Sequence, residues 1–380
     1  MKIGLLGHGT IGAGVDRIIE EISCMEVKSV MSLEVDDSFR DRHVEDIDTI
    51  VNDPEIDTVV EVMGGVEPAF TFTSKALKAG KNLVTANKAL VAAHYKDLIA
   101  LSEEYGGAFR ATASAGGSIP WLVNLERAKR VDQILNLSGI MNGTTNFILS
   151  KMKDEGADFD DVLKEAQCLG FAEANPAADI DGPDIRRKLN ISANVAYDVL
   201  IAEDDIPTFG IRNVTAKDIE NVSSLGLTLK LLGVSGKTDA GVYAYVEPTL
   251  LPGSDVIAHI PANYNLIRYE GKYAGVQSYM GEGAGRYPTA YNVVEDLFDI
   301  LAGTKHFYST EARETVPDNS IPVHRYYVRT GAESAALSGI TEEQREGFVL
   351  TKPVSVQEMH GVIKDILTSD PAAFMAGIPE

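Results

Sequence analysis

KIGLLGHGTIGAGV, residues 2–15, is the stretch from which the fold can be read. An apolar run ends at Gly7, glycines recur at Gly9 and Gly12, and the apolar spacing of a helix follows from Val15 to Ile22. A strand, a glycine turn and a helix in that order make the GxGxxG arrangement. The glycines permit a tight turn and bring the backbone close to a pyrophosphate, while the helix N-terminus faces the phosphates. Gly7, Gly9, Thr10, Ile11 and Gly12 are therefore candidate dinucleotide contacts. A glycine turn without a ligand is the competing reading, and the placement between a clear strand and a clear helix argues against it.

The chain beyond repeats the alternation. Residues 26–32 read as a second strand, and Glu34 stands 22 residues past Gly12. An acid there suits a ribose 2′-hydroxyl and disfavours a 2′-phosphate, which leans to NAD over NADP. Arg40 and Arg42 stand near enough to weaken that inference. IDTVVEVM, residues 56–63, is a β-branched run of the kind buried in parallel sheets, and Gly64 and Gly65 end it on the edge where cofactors lie. Residues 70–79 and 94–105 read as helices, and 81–86 and 108–114 as strands. Thr85, Asn87 and Lys88 follow the NLVT run at its C-terminal end, the ligand side of an open parallel sheet. For Lys88 a solvated strand-end lysine is the plain alternative. The pattern predicts an α/β chain opening with a Rossmann-type nucleotide-binding domain over residues 1–115.

Composition bounds the rest. A chain of 380 residues has room for two or three domains. It carries 34 basic and 56 acidic residues, a net charge of −22. That argues against nucleic acid or an anionic membrane as partner, because both demand a basic surface. Two cysteines, Cys24 and Cys168, make no disulfide framework and point to a reducing compartment. The N-terminus is too short in apolar residues for a signal peptide, and no apolar run spans a bilayer, so a cytoplasmic protein is expected. No cysteine or histidine spacing suggests a zinc site, and no catalytic metal is expected.

After residue 115 the style changes. Ala115–Pro120 is a glycine turn leading into a helix with the only tryptophan, Trp121. Residues 132–139 read as a strand, followed by Asn142, Gly143, Thr144, Thr145 and Asn146. These backbone donors and short hydroxyls suit a carboxylate, or else cap the helix that follows. LGFAEANPAADIDGPDIRRKLN, residues 169–190, carries Glu173, Asp179 and Asp184, with Lys188 four residues after Asp184. On a helix those last two share a face, as a ligand-holding pair or as a solvated surface pair. Helix and strands fill 214–256, a hairpin 262–280, and a second glycine cluster, Gly281 to Gly285 with Gly283 at its centre, precedes a helix at 291–302. A strand at 324–329 and a helix at 354–367 complete the pattern.

The motifs in this order resemble those of homoserine dehydrogenase. The matching elements are GHGTIGAGV, DTVVEVMGG, LVTANKAL, ASAGGSIP, IMNGTTNFIL, GFAEANPAADIDGPDIRRKLNI and MGEGAGRYPTA, covering roughly residues 1–305. The resemblance implies NAD(P)-dependent interconversion of L-homoserine and L-aspartate 4-semialdehyde in threonine, isoleucine and methionine synthesis. It implies that the nucleotide-binding domain is completed by residues 286–309, that an α+β domain over 116–285 carries the substrate site and a homodimer interface, and that 310–380 form a short C-terminal extension. It assigns catalysis to Lys188, Asp184 and Lys88, the carboxylates that bind the substrate to Glu173 and Asp179, and cofactor contacts to the glycine turns. A monovalent cation held by carbonyls, which the family can show, leaves no mark in sequence.

The residue types agree with that chemistry. Homoserine is a zwitterion with a primary alcohol, so its ammonium needs carboxylates and its carboxylate needs donors, here Gly143, Thr144 and Thr145. The hydroxyl proton needs an acceptor, which a lysine such as Lys188 provides when burial or a second cation such as Lys88 favours its neutral form. Two other readings compete: a semialdehyde dehydrogenase acting through a cysteine such as Cys168, and a catalytically silent NAD-binding sensor. The set Lys88, Asp184 and Lys188 argues against the sensor. In the tail, YYVRT resembles the start of a βαββαβ regulatory domain, but no strand is evident after the last helix. A truncated version and a dimer-stabilising extension stand as equal expectations.

Overall fold

The computed structural model describes residues 1–306 and 308–379. The chain divides into two compact units: residues 1–131, 194–200 and 281–314, and residues 132–193, 201–280 and 315–380.

The first unit is built on a wholly parallel sheet. Its strands are β1 (Lys2–Leu6), β2 (Glu26–Met31), β3 (Thr58–Glu61), β4 (Asn82–Thr85) and β5 (Phe109–Arg110), in spatial order β2-β1-β3-β4-β5. The chain turns to one side of β1 for β2 and to the other for β3. That reversal opens a crevice at the C-terminal ends of β1 and β3, where open α/β sheets bind their ligands. Helix α1 (Thr10–Ile19) leaves β1 through the glycine turn and packs against the helix Arg286–Leu301. Gly14 makes the close contact possible, since a Cβ there would stand 2.9 Å from Arg286 Cγ and 3.1 Å from Ala290 Cβ. Val15 and Ile19 join Val293 and Leu297 over Ile3, Leu5, Val60 and Val84 in one core.

Three expectations change here. The strand expected at 108–114 shrinks to β5, and residues 112–114 form a 3₁₀ turn. Buried Arg110 donates to Asp296 at 2.9 Å and to Asp299, and the Thr112 N–H donates to Asp296 at 2.9 Å, so side chains replace the strand ladder. The helix expected at 94–105 begins six residues earlier, as α2 (Lys88–Tyr105), with a kink at His94, whose ring stacks on Phe70. Residues 116–131, expected beyond the boundary, belong to the first unit. Trp121 is fully buried, and Asn292 donates to the carbonyls of Gly117 and Ile119.

The second unit is α+β. Strands β6 (Ile134–Ile140), β7 (Leu227–Thr238), β8 (Gly241–Pro252), β9 (Tyr264–Gly271) and β10 (Gly275–Glu282) run in order β10-β9-β6-β7-β8. The sheet continues through β14-β11-β13-β12, formed by β11 (Val323–Arg329), β12 (Thr341–Arg345), β13 (Phe348–Thr351) and β14 (Phe374–Ile378). Helices α3 (Gly143–Glu155) and α4 (Pro183–Tyr197) follow β6 and the acidic loop. Gly233 admits α4 to the sheet: a Cβ there would lie 3.0 Å from Ile185 and 3.3 Å from the Met141 sulfur.

The tail corrects the sequence reading outright. After β11 come the helix Ala335–Ile340, β12, β13, α5 (Val356–Leu367) and then β14, so the strand expected to be missing is present and the βαββαβ order is complete. Its core joins Tyr326, Val328, Val349, Met359, Ile363 and Met375. β14 pairs antiparallel with β11 over five residue pairs and touches β8 at Gly377 and Thr249. Among the described residues no helix is long and apolar enough to cross a membrane.

Candidate active site

The end of β6 and the start of α4 meet in a buried polar cluster. Pro183 fits the first turn of α4, where its missing N–H is no loss. Asp184 and Lys188, one helical turn apart, are both almost wholly buried. Lys188 Nζ donates to Asp184 Oδ2 at 2.8 Å and to the Met141 carbonyl at 2.7 Å. The surface-pair reading fails, because neither group faces bulk water.

Asn142 ties this pair to the rest of the loop. Its Nδ2 donates to Asp179 Oδ1 at 2.7 Å and to Asp184 Oδ2 at 2.8 Å, while its Oδ1 accepts the Thr145 N–H at 2.9 Å and caps α3. The cap and the polar-site readings of this segment are thus both true of one side chain. The hydroxyls expected to meet a carboxylate are spent on backbone carbonyls: Thr144 donates to the Phe171 carbonyl and Thr145 to the Asn142 carbonyl. The first-turn amides of α3, at Gly143 and Thr144, remain outside the helical ladder and suit an anion. Gly143 is close-packed, since a Cβ would come 2.5 Å from the Asn263 carbonyl. Asp181 is gripped by Arg212 through two bonds of 2.7 and 2.6 Å, which fixes the loop from its other side. Glu173 is not drawn into the cluster. It is exposed, and the Gln167 amide reaches only its backbone carbonyl.

The first unit presents a second network, at the ends of β3 and β4. Buried Glu61 accepts from Thr85 Oγ1 at 2.5 Å, from the Met63 N–H at 2.8 Å and from Asn87 Nδ2 at 3.3 Å. Asn87 also donates to the Gly65 carbonyl at 2.6 Å and caps α2 through the Leu90 N–H. Burial pushes the Glu61 carboxyl above its ordinary value, and the donors from Thr85, Met63, Asn87 and Gly64 hold it partly back. The carboxyl therefore sets the Met63–Gly65 turn and the Asn87–Lys88 step in one arrangement. Lys88 is the first residue of α2.

The glycine turn after β1 fits a dinucleotide. Gly7 has φ +92°, and a Cβ at Gly12 would collide with the Gly7 carbonyl. A Cβ at Gly9 or Gly64 meets nothing within 4 Å, which leaves room for phosphate and ribose. Gly283 is packed rather than open, since a Cβ at Gly117 would fall 2.5 Å from the Gly283 carbonyl carbon.

Four contributors escaped the sequence reading: the Met141 carbonyl, Glu61, His8 and Asn265. Asn265 is fully buried, its amide atoms find no hydrogen-bond partner among the described residues, and one step along the β9–β6 register brings it opposite Met141. The signal was a lone polar residue in an apolar strand, NLI, which a period count passes over. Glu61 gave the same kind of signal at the end of TVVE.

A parallel sheet with a dinucleotide turn, and a buried lysine–carboxylate cluster, are the marks of a nucleotide-dependent oxidoreductase. Comparison with known proteins narrows the class. Residues 120–298 match the family model described as homoserine dehydrogenase, and residues 7–111 match that of the homoserine dehydrogenase NAD binding domain. The chain is 36% identical to the homoserine dehydrogenase of Bacillus subtilis over 79% of its own length and 73% of the relative's. It is 36% identical to that of Corynebacterium glutamicum over 90% and 83%. The structure of a homoserine dehydrogenase from Thiobacillus denitrificans matches with a TM-score of 0.87 at 30% identity, covering 100% of this chain and 98% of the other. The chain belongs to the homoserine dehydrogenase family.

Proposed function

We propose a division of labour for the reaction of this family, the NAD(P)-dependent interconversion of L-homoserine and L-aspartate 4-semialdehyde in amino-acid biosynthesis. The bound nicotinamide supplies the hydride chemistry. Lys188 takes the proton of the substrate hydroxyl in oxidation and returns one to the aldehyde oxygen in reduction. Asp184 is its positioning group, and the Met141 carbonyl fixes the amine from a second direction. Asp179 faces the substrate ammonium and the α3 amides of Gly143 and Thr144 take the substrate carboxylate, while the exposed Glu173 stands outside the cluster. Lys88, opening α2, is assigned to the cofactor and to the charge that develops on the substrate oxygen. The glycines at 7, 9, 12, 64 and 65, with Thr85 and Asn87, shape the edge that receives the dinucleotide.

The observation that carries this reading is the seating of the Lys188 amine 2.8 Å from Asp184 inside a nearly closed cluster. A base worth roughly 10² to 10⁴ in rate is held in one position by such contacts. For the cofactor, NAD is favoured over NADP. Arg42, the cation expected to meet a 2′-phosphate, spends its donors on Asp16 at 2.8 and 2.8 Å, Val27 O at 3.3 Å and Ser38 O at 3.0 Å. A homodimer is the proposed assembly. Edge strand β10 presents Val276 and Met280, 58% and 52% exposed, as surface for a second copy. The free, exposed Cys24 and Cys168 support a reducing compartment such as the cytoplasm. The test is homoserine-dependent reduction of NAD and NADP, measured side by side in alkaline solution. Turnover with NAD well above NADP supports the assignment, and no turnover with either overturns it.

A further inference from the structure

The turn between β1 and α1 holds an imidazole with one nitrogen unaccounted for. His8 stands between Gly7 and Gly9, and its side chain is only 5% accessible. Its Nε2 lies 3.1 Å from Asp16 Oδ2, on the first turns of α1. Asp16 is pinned in turn by both terminal nitrogens of Arg42. Burial alone would raise the Asp16 carboxyl, but the bonds from Arg42 and His8 outweigh it and leave the group below its ordinary value. Asp16 is therefore an acceptor, and His8 Nε2 carries the proton facing it. In the neutral ring Nδ1 is then a bare acceptor, and it is buried with no hydrogen-bond partner among the described residues.

The position of this acceptor gives it meaning. The His8 ring packs 4.2 Å from the ring of Phe39, which belongs to the segment after β2. Asp36, in the same segment, accepts from the Ser38 N–H at 2.7 Å and from the Ser38 hydroxyl at 2.5 Å. His8 thus joins the pyrophosphate turn to the segment that follows β2, where dinucleotide folds read the adenosine ribose. A ribose hydroxyl is a donor. A 2′-phosphate offers only oxygens and would meet a lone pair, the Asp16 carboxylate and an Arg42 already engaged.

We propose that His8, held by Asp16 through Nε2, accepts the hydrogen bond of the adenosine ribose 2′-hydroxyl at Nδ1 and makes the turn selective for a dinucleotide without a 2′-phosphate. This rests on the cofactor reading above. Phe39 shields the imidazole before binding, so the contact forms with a small shift of that neighbour. An acceptor left unpaired in a buried place regains its partner when the hydroxyl arrives, and losing such a bond weakens binding about tenfold.

The experiment is calorimetric titration of the full chain with NAD, 2′-deoxyadenosine NAD and NADP. It compares wild type with His8→Leu, which keeps the bulk and loses both nitrogens, and with His8→Asn, whose amide oxygen can stand where Nδ1 stood. Wild type should bind NAD about tenfold more tightly than the deoxy analogue. His8→Leu should bind the two alike, and His8→Asn should restore part of the difference. Indifference of the wild type to the missing hydroxyl overturns the proposal. So does an equal loss for all three ligands in His8→Leu, which marks a structural role. Homoserine-dependent reduction by the wild type separates the two readings. With that activity present and no deoxy penalty, only the role of His8 falls. With the penalty present and no activity, the catalytic assignment falls and the ribose contact stands.

Discussion

Replacing Asn142 by alanine removes three hydrogen bonds from one side chain, and their separate costs can be worked from the structure. Loss of the α3 cap costs about 1 kcal/mol. The amide bonds to Asp179 and Asp184 are charge-assisted, a class worth about 1.5–3 kcal/mol each when the acceptor is buried. Asp179 is half-buried, and water replaces its lost donor at small cost. Asp184 is 5% exposed, so the loss of its buried charge-assisted bond bears the cost. The sum is about 3 kcal/mol. Urea unfolding of Asn142→Ala against wild type reads it directly. Asn142→Asp is the contrasting variant. It keeps the acceptor for the Thr145 N–H, but sets a third carboxyl where the amide stood 2.7 and 2.8 Å from two others. One of the three must then hold a proton. Its homoserine turnover should be lower than that of Asn142→Ala at neutral pH and recover in mild acid. A stability loss no greater than the cap alone in Asn142→Ala, with turnover intact in Asn142→Asp, would refute the bridging role.

Other outcomes follow from single features. Burial drives the Lys230 amine down to about 8, where it sits among Asn146 Oδ1, Ser150 Oγ and the Ile260 carbonyl. Because the unfolded chain binds that proton more tightly, stability should rise between about pH 8 and pH 10.5 by about 3 kcal/mol. Lys230→Met should lose this increment in paired urea titrations across that window. Gly12→Ala forces a Cβ onto the Gly7 carbonyl and should cost about 2 kcal/mol of stability as well as dinucleotide binding. Gly9→Ala meets no protein atom within 4 Å, so its melting temperature should hold while NAD affinity falls, a contrast that calorimetry with and without NAD would expose.

Much of this was legible in sequence where local pattern and tertiary role coincide. The turn after β1 needs its glycines for reasons that operate within six residues. The Asp184–Lys188 spacing already places both side chains on one face of α4. The parts that escaped depend on partners far along the chain. Asn142 reaches Asp179 and Asp184 across 37 and 42 residues, and nothing in NGTTN distinguishes a cap from a bridge. Arg110 ended β5 early through Asp296, 186 residues away. In the tail, β12 reads TEEQR, an edge strand with no buried position and hence no alternation to detect. β14 reads FMAGI, a short apolar run with a glycine, and such a run cannot be told from a loop end until β11 is seen beside it. The hydroxyls of Thr144 and Thr145 were the right residue types for a carboxylate, but the Phe171 carbonyl, 27 residues on, and the nearby Asn142 carbonyl claimed them first.

The most direct test of the central claim is the turnover of Lys188→Ala in homoserine oxidation, with NAD affinity and the melting curve recorded on the same preparation. A fall of roughly 10² to 10⁴ in kcat, with NAD still bound and the fold intact, is the predicted result. Turnover within tenfold of wild type under those conditions would contradict the assignment of Lys188 as the group that moves the proton.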